Sequence, residues 1–318
     1  MKKMIAFVMA LMMVLSLVAC GNSADDGITK VAIVQQLDHS SLDEIRVAIE
    51  AELTAAGIEF EVFNGQNETS VLNQIGSEVM ADGFDMIIPI ATLAAQCMVT
   101  AADGQIPVVF AAVSDPAGNG LTGMANVTGT SDALNTPFIL DMMLAANPDV
   151  KTVGLLYSNS EPNSQKPIAE AKEYLDAKNI AYIEKTGTTS PEIIEAASAL
   201  VDRVDAVFTP TDNAVMAAEV RVAEIFNEAG IPHYAGADSF VQAGAFATCG
   251  VNYTELGTYT GKLALEVLAG GEVPEFHVME GGIITVNAQT AAALAMDYSV
   301  FESMANTVTI VGAENTAQ

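Results

Sequence analysis

The sequence predicts an α/β protein of two similarly built lobes, each a parallel sheet flanked by helices. Three observations lead there. Short β-rich runs alternate with segments of helical periodicity, and βαβα order implies parallel sheets with helices on both faces. The alternation occurs twice along 318 residues, a length that suggests about two domains at roughly 150 residues each. Equivalent features also recur at near-equal spacing: Val31 to Val153 is 122 residues, Asp85 to Asp205 is 120, and Pro107 to Pro232 is 125.

In the first half the β-rich runs are Val31–Gln35, Ile58–Phe63, Met86–Ile90 and Val108–Ala112. In the second they are Thr152–Tyr157, Ala181–Glu184, Ala206–Thr209 and Ile231–Ala235. After the first run, Leu42, Ile45, Ile49, Leu53 and Ala56 fall on one helical face. Ser41 and Glu44 form a capping-box pattern at its start, and Gly57 stops it. Ser190-Pro191-Glu192 opens another helix with an N-cap, a proline at N1 and an acidic first turn. Asp85-Met-Ile-Ile-Pro-Ile-Ala-Thr92 parallels Asp205-Ala-Val-Phe-Thr-Pro-Thr-Asp212, and each precedes an Ala-rich helix. Those helices end at Gly104 and Gly230, suited to C-caps, and each is followed by an Ile-Pro that enters the next strand.

The chain carries 12 Lys+Arg against 40 Asp+Glu, a net charge of −28. Such a surface repels phosphate backbones and anionic lipid, so nucleic-acid binding and docking through a basic patch are excluded. Lys2 and Lys3 before an apolar run from Met4 to Ala19 read as a secretory signal. The run is shorter than the roughly 20 residues of a spanning helix. Its end, Leu17-Val18-Ala19-Cys20, resembles the lipobox of bacterial lipoproteins, which implies that residues 1–19 are removed and Cys20 is acylated. Residues 20–29 then form a tether, and the mature charge becomes 10 − 40 = −30. Membrane contact is expected only through that lipid. Cys97 and Cys249 sit in apolar surroundings and read as buried free thiols.

In open α/β sheets the ligand lies beyond the carboxyl ends of the strands. Those positions hold Gln35-Gln36-Leu37-Asp38-His39, Ala91-Thr92 and Ser114-Asp115-Pro116 in the first half. In the second they hold Ser158-Asn159-Ser160-Glu161, Thr211-Asp212-Asn213 and Ala237-Asp238-Ser239. No Arg or Lys is among them, and Arg46, Arg203 and Arg221 fall on or at the end of helices. A cleft without basic side chains suits a neutral, cationic or zwitterionic ligand better than phosphate or a dicarboxylate. The candidate ligand-binding residues are Gln36, His39, Thr92, Ser114, Asp115, Asn159, Ser160, Thr211, Asp212, Asn213 and Asp238. The same residue types are the preferred N-caps, so each also suits a purely structural place. Asp212 is the expected partner of a ligand ammonium, with Ser114 and Thr92 as carboxylate donors from the opposite lobe. Phe110, Tyr157 and Tyr253 stand near strand ends, as an apolar wall or as core.

Catalytic patterns are weak. His39, His233 and His277 are isolated, and no His-Glu-x-x-His, Cys-x-x-Cys or Gly-x-Ser-x-Gly occurs. Gly257-Thr-Tyr-Thr-Gly261-Lys262 has the outward look of a P-loop with the wrong spacing. Gly118-Asn-Gly120-Leu-Thr-Gly123 follows a fourth strand rather than a first, and is expected to be a loop. No enzyme activity, metal or cofactor is expected.

From Val31 to about Ala295 the chain resembles the substrate-binding lipoproteins of ATP-binding-cassette (ABC) importers, in the tryptophan, tyrosine and phenylalanine branch. Gln35-Gln-Leu-Asp-His39-Ser-Ser-Leu-Asp43, Ala91-Thr-Leu-Ala-Ala-Gln96 and Val109-Phe-Ala-Ala-Val-Ser-Asp-Pro116 carry the resemblance. So do Ser160-Glu-Pro-Asn-Ser164, Pro210-Thr-Asp-Asn213, Gly236-Ala-Asp238 and Gly250-Val-Asn-Tyr253-Thr-Glu-Leu-Gly257. It implies a type I periplasmic-binding-protein fold, two Rossmann-like lobes joined by three crossovers. Lobe 1 is expected at 30–147 plus 249–276, and lobe 2 at 148–248 plus 277–318. It further implies a monomer that closes on a small ligand, an aromatic amino acid, and delivers it to an ABC permease and its ATPase. Ser40, Ala237 and Asn252 depart from the family's usual proline, acidic residue and aspartate, which bears on ligand identity rather than class. Two readings stay open beside import: a sensor lipoprotein, and a different ligand such as a nucleoside or another amino acid.

Overall fold

The computed structural model describes residues 29–271 and 274–312, so the expected signal segment, Cys20 and most of the tether lie outside the described residues. The chain begins with β1 (Lys30–Gln35), α1 (Ser40–Ala55), β2 (Glu59–Asn64), α2 (Thr69–Ala81), β3 (Met86–Ile90), α3 (Thr92–Ala102), β4 (Val108–Phe110) and β5 (Val127–Ser131). It continues with α4 (Thr136–Ala146), β6 (Thr152–Tyr157), α5 (Gln165–Lys178), β7 (Ala181–Thr186), α6 (Ser190–Ser198) and β8 (Ala206–Thr209). Then come α7 (Asn213–Met216), α8 (Glu219–Glu228), β9 (His233–Ala235), α9 (Asp238–Ala243) and β10 (Ala247–Gly250). The last described elements are α10 (Tyr253–Leu268), β11 (His277–Val278), β12 (Ile283–Asn287), α11 (Ala288–Ala293) and β13 (Thr307–Val311).

Two sheets result, ordered β11-β5-β4-β3-β1-β2 and β13-β12-β10-β9-β8-β6-β7. The first is parallel throughout; in the second, β12 runs antiparallel to β10 and β13 follows β12. Strands β1, β3, β6 and β8 are buried almost end to end, which is why they read as continuous apolar runs. In both sheets the order reverses beside the first strand of its lobe, β1 or β6, and that reversal opens the crevice used by ligands. The repeat noted in the sequence has a structural counterpart. Asp85 Oδ2 accepts the Lys30 N–H at 2.8 Å, and Asp205 Oδ2 accepts the Thr152 N–H at 2.8 Å, each pinning the first strand of its lobe.

Three segments cross between lobes, and they lie elsewhere than expected. Helix α4 buries Ile139, Leu140, Met142 and Met143 among Val153, Leu155 and Phe246 of lobe 2, so the first crossover is at 132–135 rather than at 147. Cys249 and Gly250 belong to β10 in the second sheet, and the chain leaves that lobe only at 251–252. His277 and Val278 pair with Thr130 and Ser131 in the first sheet, so lobe 2 resumes at β12 and not at 277.

Helix α10 packs on α1 through Gly257 and Gly261. A Cβ at either would overlap Ile45 or Glu52, so the segment with the look of a P-loop is a close helix–helix contact. Leu42, Ile45, Ile49 and Leu53 of α1 are buried, whereas Ala56 lies past the helix and is exposed. The expected N-caps move. Ser41 lies inside α1, whose N-cap is His39, and α6 is capped by Thr189 with Glu192, one residue before Ser190. Cys97 and Cys249 are free and buried, and Gly118–Gly123 is a loop.

Candidate functional site

The lobes meet over a narrow cavity at the crevice of both sheets. Lobe 1 contributes His39, Ser41 and Leu42 from the start of α1, Ala91 and Thr92 at the start of α3, and Ala112, Ser114 and Asp132 beyond β4 and β5. Lobe 2 contributes Asn163, Thr211, Asp212, Asn213, Met216, Ala237, Ser239 and Phe240, with Tyr253 at the second crossover. Ala91 and Ala112 adopt left-handed φ of 78° and 53°. Non-glycine residues there carry strain, which here turns the chain into the pocket.

His39 and Ala91, the N-cap residues of α1 and α3, make no side-chain cap bond and both line the cavity, so two helix N-termini bring partial positive charge to it. Helix α7 differs. Asp212 is its N-cap: Oδ1 accepts from Val215 N–H at 2.9 Å, while Oδ2 accepts from Ser158 N–H and Ser164 Oγ, both at 2.7 Å. With three donors on one fully buried carboxylate, Asp212 builds the wall of the cavity.

Asp132, absent from the sequence expectations, also lines the cavity. Its Oδ1 accepts from Ser114 Oγ at 2.8 Å, and Oδ2 lies 3.5 Å from Tyr253 Oη. Burial holds its carboxyl above the usual range. Across the cleft, Thr211 Oγ1 lies 3.3 Å from Ser114 Oγ. Asn163 Nδ2 donates to the Thr211 carbonyl at 2.6 Å, and its Oδ1 is buried without a partner.

A second cluster joins the lobes. Leu93 N–H donates to Gln36 Oε1 at 3.1 Å, so Gln36 Nε2 points to Glu161 Oε1, also at 3.1 Å, and to Asn67 Oδ1 at 2.8 Å. Asn213 Nδ2 donates to Glu161 Oε2 at 2.8 Å, and Asn213 Oδ1 lies 3.0 Å from His39 Nε2. Burial beside Asp212 pushes the Glu161 carboxyl up to about 8. Burial raises the Asp212 carboxyl as well, against the pull of the Ser164 hydroxyl and the Ser158 and Val215 N–H groups. The contacts Gln36–Glu161, His39–Asn213 and Ser114–Thr211 all cross between lobes, and the molecule is closed.

Of the expected residues, His39, Thr92, Ser114, Thr211, Asp212 and Asn213 line the cavity, and Gln36 braces it from behind. Four do not. Asp115 pairs with Lys166 of α5 at 3.5 Å, a basic residue at the cleft edge that the strand-end reading missed. Asn159 and Ser160 are exposed, bonded to Thr186 and Ser158. Asp238 accepts from Gln242 within its own helix. Phe110 is core and Tyr157 donates to Glu184, whereas Tyr253 does reach the cavity. Arg46 turns away toward Gln35 and Glu50, consistent with a cavity lined without arginine.

Five buried polar atoms without a partner belong to residues that line this cavity: His39 Nδ1, Ser41 Oγ, Thr92 Oγ1, Asn163 Oδ1 and Ser239 Oγ. Among the described residues no group of His, Cys, Asp and Glu could hold a metal, and no helix is long and apolar enough to cross a membrane.

Comparison with known proteins agrees with this architecture. Residues 30–306 match the family described as ABC transporter substrate binding protein. A tyrosine-binding protein of Clostridioides difficile is 34% identical over 280 residues, covering 84% of this chain and 81% of the relative. An ABC domain from Streptococcus pneumoniae in complex with L-Trp superposes with a TM-score of 0.83 at 28% identity, covering 88% of this chain and 99% of that one. A ligand-free, open substrate-binding protein with adhesive properties from Clostridium difficile gives only 0.66, despite 32% identity and coverage of 90% and 100%. The lower score against the open form is what closed lobes produce. By sequence and fold together, the chain belongs to the substrate-binding proteins of ABC transporters and is a solute carrier rather than an enzyme.

Proposed function

We propose that the chain closes on a zwitterionic aromatic amino acid, of the tyrosine or tryptophan kind, and presents it to a membrane permease and its ATPase. The observation that carries this reading is the presence of five unpartnered buried polar atoms on residues that line one inter-lobe cavity. Leaving a buried polar group unpaired costs about 1–3 kcal/mol, so a polar ligand has five partners waiting. Asp132 Oδ2 and Asn163 Oδ1 are acceptors suited to an ammonium. The Ser41 and Thr92 hydroxyls, with the uncapped first turn of α1, suit a carboxylate without any arginine. Leu42, Met216, Phe240 and Tyr253 supply an apolar wall. The relatives' ligands, tyrosine and L-Trp, have this chemistry.

Such carriers work outside the cytoplasm, and we place this one on the membrane surface through lipid on Cys20, supported by Leu17-Val18-Ala19-Cys20 and the polar stretch after it. The binding reading is tested by native mass spectrometry of protein purified without added ligand. An adduct with the mass of tyrosine or tryptophan, displaced by either added amino acid, is expected. A nucleoside or sugar adduct that neither amino acid displaces would overturn it.

A further inference from the structure

We infer that His39 selects, among aromatic amino acids, those whose side chain carries a hydrogen-bond donor, and that it does so through a ring tautomer fixed from the opposite lobe. The inference rests on the amino-acid reading above and adds its specificity.

The tautomer follows from a chain of donors that starts at a backbone group. Leu93 N–H can only donate, so it takes Gln36 Oε1 and turns Gln36 Nε2 onto Glu161. Glu161 receives a second amide donor from Asn213 Nδ2. Asn213 therefore offers its oxygen to His39, and the ring nitrogen 3.0 Å away, Nε2, carries the proton. Burial keeps the imidazole neutral by holding its pKa below the ordinary value. Nδ1 is then a lone pair, buried and without a partner. His39 occupies the N-cap position of α1, yet its side chain makes no cap bond, so this nitrogen is not spent on the helix.

Which part of the ligand it meets follows from placement. Asp132, Ser114, Thr211 and Asn163 are linked to one another by hydrogen bonds and form the end that takes the ammonium. His39 and Asn213 belong to the other cluster. Each lies three residues before a large apolar residue that lines the same cavity, Leu42 on α1 and Met216 on α7. The acceptor thus stands in the apolar compartment, where the ligand's side chain goes. A phenol O–H or an indole N–H satisfies it; a phenyl ring leaves it buried and unpaired. Sites built to bond a ligand donor reject the analogue lacking it far more strongly than apolar pockets sort by size.

The test is titration calorimetry with L-tyrosine, L-tryptophan, L-phenylalanine and L-4-fluorophenylalanine, the last close to tyrosine in shape but without a donor. Wild type should bind one or both donor-bearing ligands at least about 100-fold more tightly than the other two. His39→Phe should bring all four within about 10-fold of each other, and His39→Asn, which returns an oxygen near the Nδ1 position, should restore part of the preference. Phenylalanine binding to wild type as tightly as tyrosine would overturn the inference and leave the amino-acid reading standing. So would equal weakening of all four ligands by His39→Phe, which would place the nitrogen on the common ammonium. No binding of any of the four to wild type would instead defeat the amino-acid reading itself, and the inference with it.

Discussion

Replacing Asp132 by Asn keeps the shape of the side chain and removes its charge, and the structure gives opposite signs for the two consequences. In the closed structure this carboxylate is buried with one close side-chain donor, Ser114 Oγ at 2.8 Å, and a distant one, Tyr253 Oη at 3.5 Å. A buried charge so thinly paired opposes folding, which is why burial raises its pKa. Asp132→Asn relieves that cost, and the unliganded variant should melt no lower than wild type. The ligand ammonium, in contrast, loses its counter-charge. Truncating one partner of a buried charged pair costs roughly 2–5 kcal/mol. That is about 30-fold to a few thousand-fold in Kd. Titration calorimetry with L-tyrosine and L-tryptophan, with thermal denaturation of the unliganded proteins, reads both. Weakened binding in an equally stable variant is the expected pair of results. Affinity within about threefold of wild type would refute the role of Asp132, and a loss of affinity accompanied by a large drop in Tm would refute the reasoning about its charge.

Asp212→Ala should act first on stability. It removes an N-cap, about 0.5–2 kcal/mol, and strips the Ser158 and Ser164 donors of their acceptor, so urea denaturation should show a loss of about 2 kcal/mol or more. A variant as stable as wild type would contradict the capping role. Glu161 makes binding depend on pH: solvated in the open form it titrates in the ordinary glutamate range, and buried in the closed form it is pushed up to about 8. The closed form therefore binds the proton more tightly. Its advantage is full below the ordinary range and is lost as pH rises toward that higher value, so tyrosine affinity should fall across this window and Glu161→Gln should flatten the profile. Parallel profiles for the two proteins would count against it. Cys20→Ala should move the protein out of the membrane fraction or leave it unprocessed, because stable anchoring requires acyl chains. An unchanged mass and fractionation would remove the anchor.

Much of the scaffold was legible because its causes are local. Strands buried on both faces must be apolar throughout, so β3, β6 and β8 stand at their expected bounds. The 120-residue offset between Asp85 and Asp205 recorded a shared role, holding the N–H that opens each lobe's first strand. The crossovers were less legible. The apolar face of α4 reads the same whichever sheet it covers, and nothing in Ile139 or Met143 names the lobe. In the site, the strand-end rule found His39, Thr92, Ser114, Thr211 and Asn213 but carried Asn159 and Ser160 with them, since a solvent-facing turn uses the same residue types. Asp132 follows β5, the last strand before the first crossover, whose Val-Thr-Gly-Thr-Ser sequence is too polar to read as a buried strand. Ser239 and Glu161 lie within the strand-end loops, where their residue types do not set them apart from capping neighbours. Asp212 shows where composition stops: a cap and a ligand carboxylate look alike in sequence, and only its three bound donors separate them.

The account's central claim is that one cavity holds both charged ends of an amino acid, with its unpartnered polar atoms as their partners. Calorimetric titration of the wild-type protein with L-tyrosine, tyramine and 3-(4-hydroxyphenyl)propionate tests it most directly, since the last two each lack one charged end. The account expects L-tyrosine to bind and both truncated ligands to lose at least about 30-fold, the lower figure for an unpaired buried charge. Either truncated ligand binding as tightly as L-tyrosine, or no heat with L-tyrosine under conditions where the protein is folded and empty, would contradict it.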